Sequence, residues 1–134
     1  MESRPRHQLR TFGLCGKKRR MTAFRTLLIV LWAALAGYTA IVVSRYGLGL
    51  LPVFFGDIAQ VGWPGQFNLD FFCFLVLSAL WTAWRNMFSV SGLLLAIVAF
   101  FGGAGFLLPY LLFLTIKAKG DIPQVLLGTR DLRK

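Results

Sequence analysis

Acidic residues are scarce: 5 Asp+Glu stand against 15 Lys+Arg, a formal charge of +10 over 134 residues. Charge of either sign is thin, at 15% of the chain, where an ordinary soluble domain carries about a quarter. A single histidine, His7, with two cysteines, Cys15 and Cys73, makes no convincing metal site, and neither a metal nor another cofactor is expected. Cys15 lies in a basic tail and Cys73 in an apolar run, so no disulfide is indicated. Phosphate-loop, nucleophile-elbow and zinc-protease patterns are all missing. The cluster Gly102-Gly103-Ala104-Gly105 is no nucleotide fingerprint, because it sits inside an apolar run rather than after a strand. What is abundant is grease: 57% hydrophobic and 15% aromatic residues, which excludes a disordered chain. A soluble globule this small cannot hide 13 Phe and 4 Trp. An integral membrane protein remains.

Three apolar runs carry that reading. Thr26 to Val43 holds no charge; at about 1.5 Å per residue it covers about 27 Å of a hydrocarbon core about 30 Å thick. Arg25 and Arg45 bracket it and can snorkel. Phe67 to Trp84 carries one acid, Asp70, follows Pro64, and ends in an aromatic belt, Trp81 and Trp84, before Arg85. Val90 to Ile116 is uncharged and longer than a perpendicular crossing needs. Tilt, or a kink near Gly102, Gly103, Gly105 and Pro109, absorbs the excess. It is read as one helix, since two crossings would have only about 20 Å each.

The expected fold is therefore an all-α membrane protein with three transmembrane helices, about 26–44, 67–84 and 90–116. A basic tail, 1–25, precedes the bundle and another, 117–134, follows it. The stretch 46–66, broken by Pro52, Asp57, Gln60 and Pro64, reads as an interfacial or re-entrant segment, with a fourth crossing as the alternative.

The tails suit anionic lipid headgroups, notably Lys17-Lys18-Arg19-Arg20. Nucleic acid is not expected, because no aromatic or fold motif accompanies the basic run. Met21 is an alternative start, which would remove residues 1–20. Ala34-Leu35-Ala36 resembles a signal-cleavage site, but the apolar run continues past it as an anchor does. With three crossings, nine Lys+Arg lie on the N-terminal side and six on the other, favouring a cytoplasmic N-terminus. With four, thirteen face two.

Two small-residue stripes share one spacing: Ala33, Gly37, Ala40 and Ser44 in the first run, Gly92, Ala96, Ala99 and Gly103 in the third. Both are expected to face other helices, within the chain or across a homo-oligomer.

Asp70 is the candidate site. An ionised carboxylate about 9 Å into a membrane helix costs a few kcal/mol unless paired, hydrated or neutralised. Asp57, Gln60, Gln66 and Asn68 are expected to form a polar mouth beside it. Asp70, Cys73, Leu77, Trp81 and Trp84 share a helical face. One reading is a structural acid bonded to Tyr or Asn or paired with Arg45; another is a ligand or lipid contact. A third is a proton donor kept neutral by burial, protonating an isoprenoid-like alkene between aromatic faces.

Tyr46-Gly47-Leu48, Phe54-Phe55, Phe67-Asn68-Leu69-Asp70-Phe71 and Gly105-Phe106-Leu107-Leu108-Pro109-Tyr110-Leu111 resemble a family of small bacterial membrane proteins catalogued as a domain of unknown function, the 2834 type. The resemblance spans about residues 26–119 and implies a three-helix bacterial inner-membrane protein without an established activity. More distantly, the chain resembles parts of larger membrane terpene cyclases, but no second catalytic acid is found in a matching helix. The favoured expectation is a non-enzymatic accessory or lipid-contacting component. A small cyclase or isomerase using Asp70 comes next, then an oligomeric transporter or channel subunit.

Overall fold

The computed structural model describes residues 7–128, with side chains from Arg20 onward. All regular structure in that range is helical: α1 (His7–Tyr46), α2 (Leu50–Ala59), α3 (Trp63–Arg85), α4 (Val90–Lys117) and α5 (Ile122–Leu127). Three helices are long and apolar enough to cross a membrane, Arg20–Tyr46, Trp63–Arg85 and Val90–Lys117. The chain is an all-α membrane protein.

Helix α1 starts well before the expected position and takes in much of the basic tail, where Lys and Arg are good helix formers. Residues 1–6 and 129–134 of the two tails lie outside the described range. The segment between the first two long helices contains α2. At about 1.5 Å per residue, its 10 residues reach only about 15 Å, so α2 does not cross a bilayer core of about 30 Å. It lies against α3 instead, and Gly65 is the reason it can. A Cβ at Gly65 would run into the Asp57 carbonyl and stand 2.9 Å from the Ile58 Cα.

The third long helix departs most from a plain span. Ser89 caps it, its hydroxyl accepting from the Gly92 N–H at 3.2 Å, and Gly103 interrupts it with φ 50 and ψ −135. Residues 90–102 form one arm and 104–117 a second. Along the first arm, a Cβ on Gly92 would meet the Asn86 Cβ at 2.6 Å, Phe100 meets Phe72 edge to face at 5.6 Å, and Gly103 lies against Phe71 and Leu75. Along the second, Tyr110 returns to Trp81, ring centroids 6.3 Å apart, and its hydroxyl accepts from Asn86 Nδ2 at 3.0 Å. In a straight helix Gly92 and Tyr110 would be about 27 Å apart; here both touch Asn86. The kink expected among these glycines is therefore a reversal. One arm runs from the end of α3 to its middle and the other runs back.

Helix α1 lies antiparallel to the second arm. Arg25 bonds Thr115, Trp32 Nε1 donates to the Gly105 carbonyl at 3.1 Å, and Met21 packs on Gly120. One end of the bundle thus gathers the start of the α1 span, the end of α3, both ends of α4, and α5. The other end holds Tyr46, α2 and Trp63.

The core is small and built of small residues. Ala83, Ala96, Ala99 and Ala118 are buried with Leu28, Leu114 and Val125. Thr82 and Thr115 are buried too, but each hydroxyl returns to its own helix, to the Ser78 and Leu112 carbonyls at 2.8 Å. That satisfaction is what permits a polar group in an apolar interior.

Candidate functional site

The expected polar mouth assembles only in part. Asn68 lies on the α3 stripe that faces its neighbours, together with Gly65, Phe72, Leu75 and Thr82. Its amide donates to the Asp57 carboxylate at 3.1 Å and to the Phe54 carbonyl at 3.2 Å. These bonds pin α2 onto α3. Gln66 lines an open groove of about 460 Å³ with Ile58, Val61, Gly62, Trp63, Gly65 and Leu69. Gln60 is exposed, and its backbone N–H closes the last turn of α2.

Asp70 stands apart from this group. Two positions beyond Asn68, it is turned about 200° around the helix at about 100° per residue, onto an exposed face. Neither the bond to Tyr or Asn nor the pair with Arg45 is formed within the described residues, because α1 packs on α4 rather than beside Asp70. Of the face shared with Asp70, Cys73 and Leu77 are exposed, while Trp81 and Trp84 are half-buried. The aromatic contacts run through the junction of α2, α3 and α4 instead: Phe54 on Phe71, and Phe72 on Phe100.

The two small-residue stripes also part. Gly92, Ala96, Ala99 and Gly103 are all buried. Ala33, Gly37, Ala40 and Ser44 are all exposed, and a Cβ at Gly37 would meet nothing within 4 Å.

A polar constellation that the residues alone did not reveal forms at the opposite end. Arg25 donates through Nε to the Thr115 hydroxyl at 3.2 Å and through Nη2 to the Thr115 carbonyl at 2.6 Å. Arg85 donates through Nε to the Val125 carbonyl at 2.6 Å and through Nη2 to that of Gln124 at 3.2 Å. That grip ties α5 to the end of α3. Gly128, at φ 68, closes the contact, since a Cβ there would meet the Arg85 carbonyl at 2.7 Å. Lys117 projects nearby with its ammonium 5.9 Å from the Phe113 ring centroid, a cation–π contact. Arg85, Asn86, Leu114, Lys117, Ala118, Gln124 and Gly128 line a cavity of about 150 Å³. Among the described residues no carboxylate pairs with Arg25, Arg85 or Lys117. The only sign in the sequence was the charge asymmetry, which becomes steep when both tails share a face.

Groups of three or more metal-ligating side chains are absent among the described residues. No protein-family model, curated protein or solved structure matches this chain.

Proposed function

We propose that this protein is a non-enzymatic component of a bacterial inner membrane that rests its basic end on anionic headgroups, with its N-terminus cytoplasmic. In this reading α1 and α3 cross, and α4 dips into the bilayer and returns to the face it left. Each arm rises about 20 Å, two-thirds of the hydrocarbon core. The observation that carries the proposal is the convergence of Arg25, Arg85 and Lys117 at one end of the bundle. Of the 15 Lys+Arg, every one but Arg45 then belongs to that face or to a tail attached to it. Such an imbalance fits the cytoplasmic side under the positive-inside rule. It also fits an anionic leaflet, which attracts each nearby basic residue by about 1 kcal/mol.

The test is lipid composition around the full-length protein. Nanodiscs formed from equal phosphatidylglycerol and phosphatidylcholine should be enriched in phosphatidylglycerol, and the enrichment should fall with added salt. Equal recovery of the two lipids at low salt would contradict the proposal.

The reading of Asp70 as a proton donor draws no support from its surroundings, since the carboxylate lies on an exposed face away from Asp57 and Asn68. The oligomeric transporter has one feature in its favour, the exposed small-residue stripe of α1.

A further inference from the structure

We infer that the cavity between Arg85 and Lys117 seats the phosphate of one anionic phospholipid. This rests on the lipid-contacting reading above and adds a site to it. The fold-back at Gly103 creates the site: were α4 straight, Lys117 would lie about 40 Å from Val90 and from the neighbouring end of α3. Instead Arg85 and Lys117 line the same cavity.

Its chemistry suits a phosphate. Arg85 is half-buried, and its Nε and Nη2 bonds to the Val125 and Gln124 carbonyls hold the guanidinium in place. Carbonyls orient that charge without neutralising it, and Nη1 retains its donors. Lys117 offers an exposed ammonium that bonds to no oxygen of the described residues. The C-termini of α3 and α4 oppose an anion by about half a charge each. Two full cations outweigh them by about one unit. Asn86 spends its amide on the Thr82 carbonyl and the Tyr110 hydroxyl, so it fixes the wall and does not bind. A volume of about 150 Å³ admits a phosphate with its first ester carbons and leaves the rest of the headgroup outside. Arg85 and Lys117 both occupy last turns of long apolar helices, and Trp84 directly precedes Arg85, the level at which aromatic belts meet headgroups.

The experiment titrates delipidated, full-length protein in neutral detergent with phosphatidylglycerol, counting bound lipids by native mass spectrometry. The first lipid should bind more tightly than later ones. Lys117→Gln should weaken that first affinity about fivefold, the factor matching about 1 kcal/mol per basic residue. Arg45→Gln, at the far end, should leave it unchanged. Because Arg85 also holds α5, Lys117→Gln is the decisive variant and Arg85→Gln a second whose helicity is checked alongside. If anionic lipid is enriched but Lys117→Gln binds its first lipid like the parent, the seat is wrong and the basic end holds lipid diffusely. If no anionic preference exists at all, the seat and the functional reading fail together. Inorganic phosphate separates the two sources of the anion: it should not displace the lipid at equal concentration. Displacement would make the cavity a site for free phosphate and overturn the assignment.

Discussion

The stripes Ala33-Gly37-Ala40-Ser44 and Gly92-Ala96-Ala99-Gly103 share spacing and chemistry, yet the second is buried and the first is exposed. Depth explains the difference. The arms of α4 turn at Gly103, close to Phe71 and Leu75 in α3 and one step from the contact of Trp32 with Gly105. Beyond that level α1 has no arm of α4 beside it, and its stripe begins at Ala33. Small residues permit close approach between helices, but they do not supply the partner.

Substitutions at matched positions can break this comparison. Gly103→Val should be the most damaging, by about 3 kcal/mol. It places a β-branched residue at φ 50 against Leu75 and Phe71, combining left-handed strain of about 1–2 kcal/mol with overpacking of about 1–3. Unfolding in mixed micelles measures it; a stable Gly103→Val protein would mean α4 is not held in its reversal. Ala99→Leu follows. Ala99 is 0% exposed, so the larger side chain must displace a neighbour at about 1–3 kcal/mol. Gly37→Leu should change monomer stability by no more than about 0.5 kcal/mol, as nothing lies within 4 Å of its Cβ position. Should Gly37→Leu instead dissociate a dimer seen by light scattering, the α1 stripe is an interface between copies and the two stripes are alike after all. Asp70→Asn sits at the bottom of the scale. It should alter neither the fold nor the retention of anionic lipid, measured on the same nanodiscs, because Asp70 holds no bond among the described residues.

Much of this architecture is legible in the chain. Hydrophobic run length locates α1, α3 and α4, and Pro64 marks the first turn of α3. Pro52 and Asp57 signal that the middle segment is not a span, and α2 is indeed short. The direction of the chain after Gly103 is a different matter. Glycine permits a slight kink and a full reversal alike, and which occurs depends on Asn86, Trp81 and Tyr110 meeting in space. The excess length of the third run is met equally by tilt, a kink or a reversal, and the charge distribution favours an even number of crossings. A fourth crossing is one way to meet that preference; folding α4 back on itself is another. At the polar mouth, sequence proximity placed Asp70 with Asn68, whereas helical geometry puts residues two apart on opposite faces.

In the proposed topology α4 leaves the membrane on the face where it began. Impermeant thiol labelling tests it directly, on whole cells and on cells with opened membranes, with Cys15 and Cys73 replaced by Ser. Leu48→Cys should label in intact cells, while Arg20→Cys and Ile122→Cys should both label only after opening. Labelling of Ile122→Cys in intact cells alongside Leu48→Cys, with Arg20→Cys still protected, would show that α4 passes through the bilayer and would contradict the account.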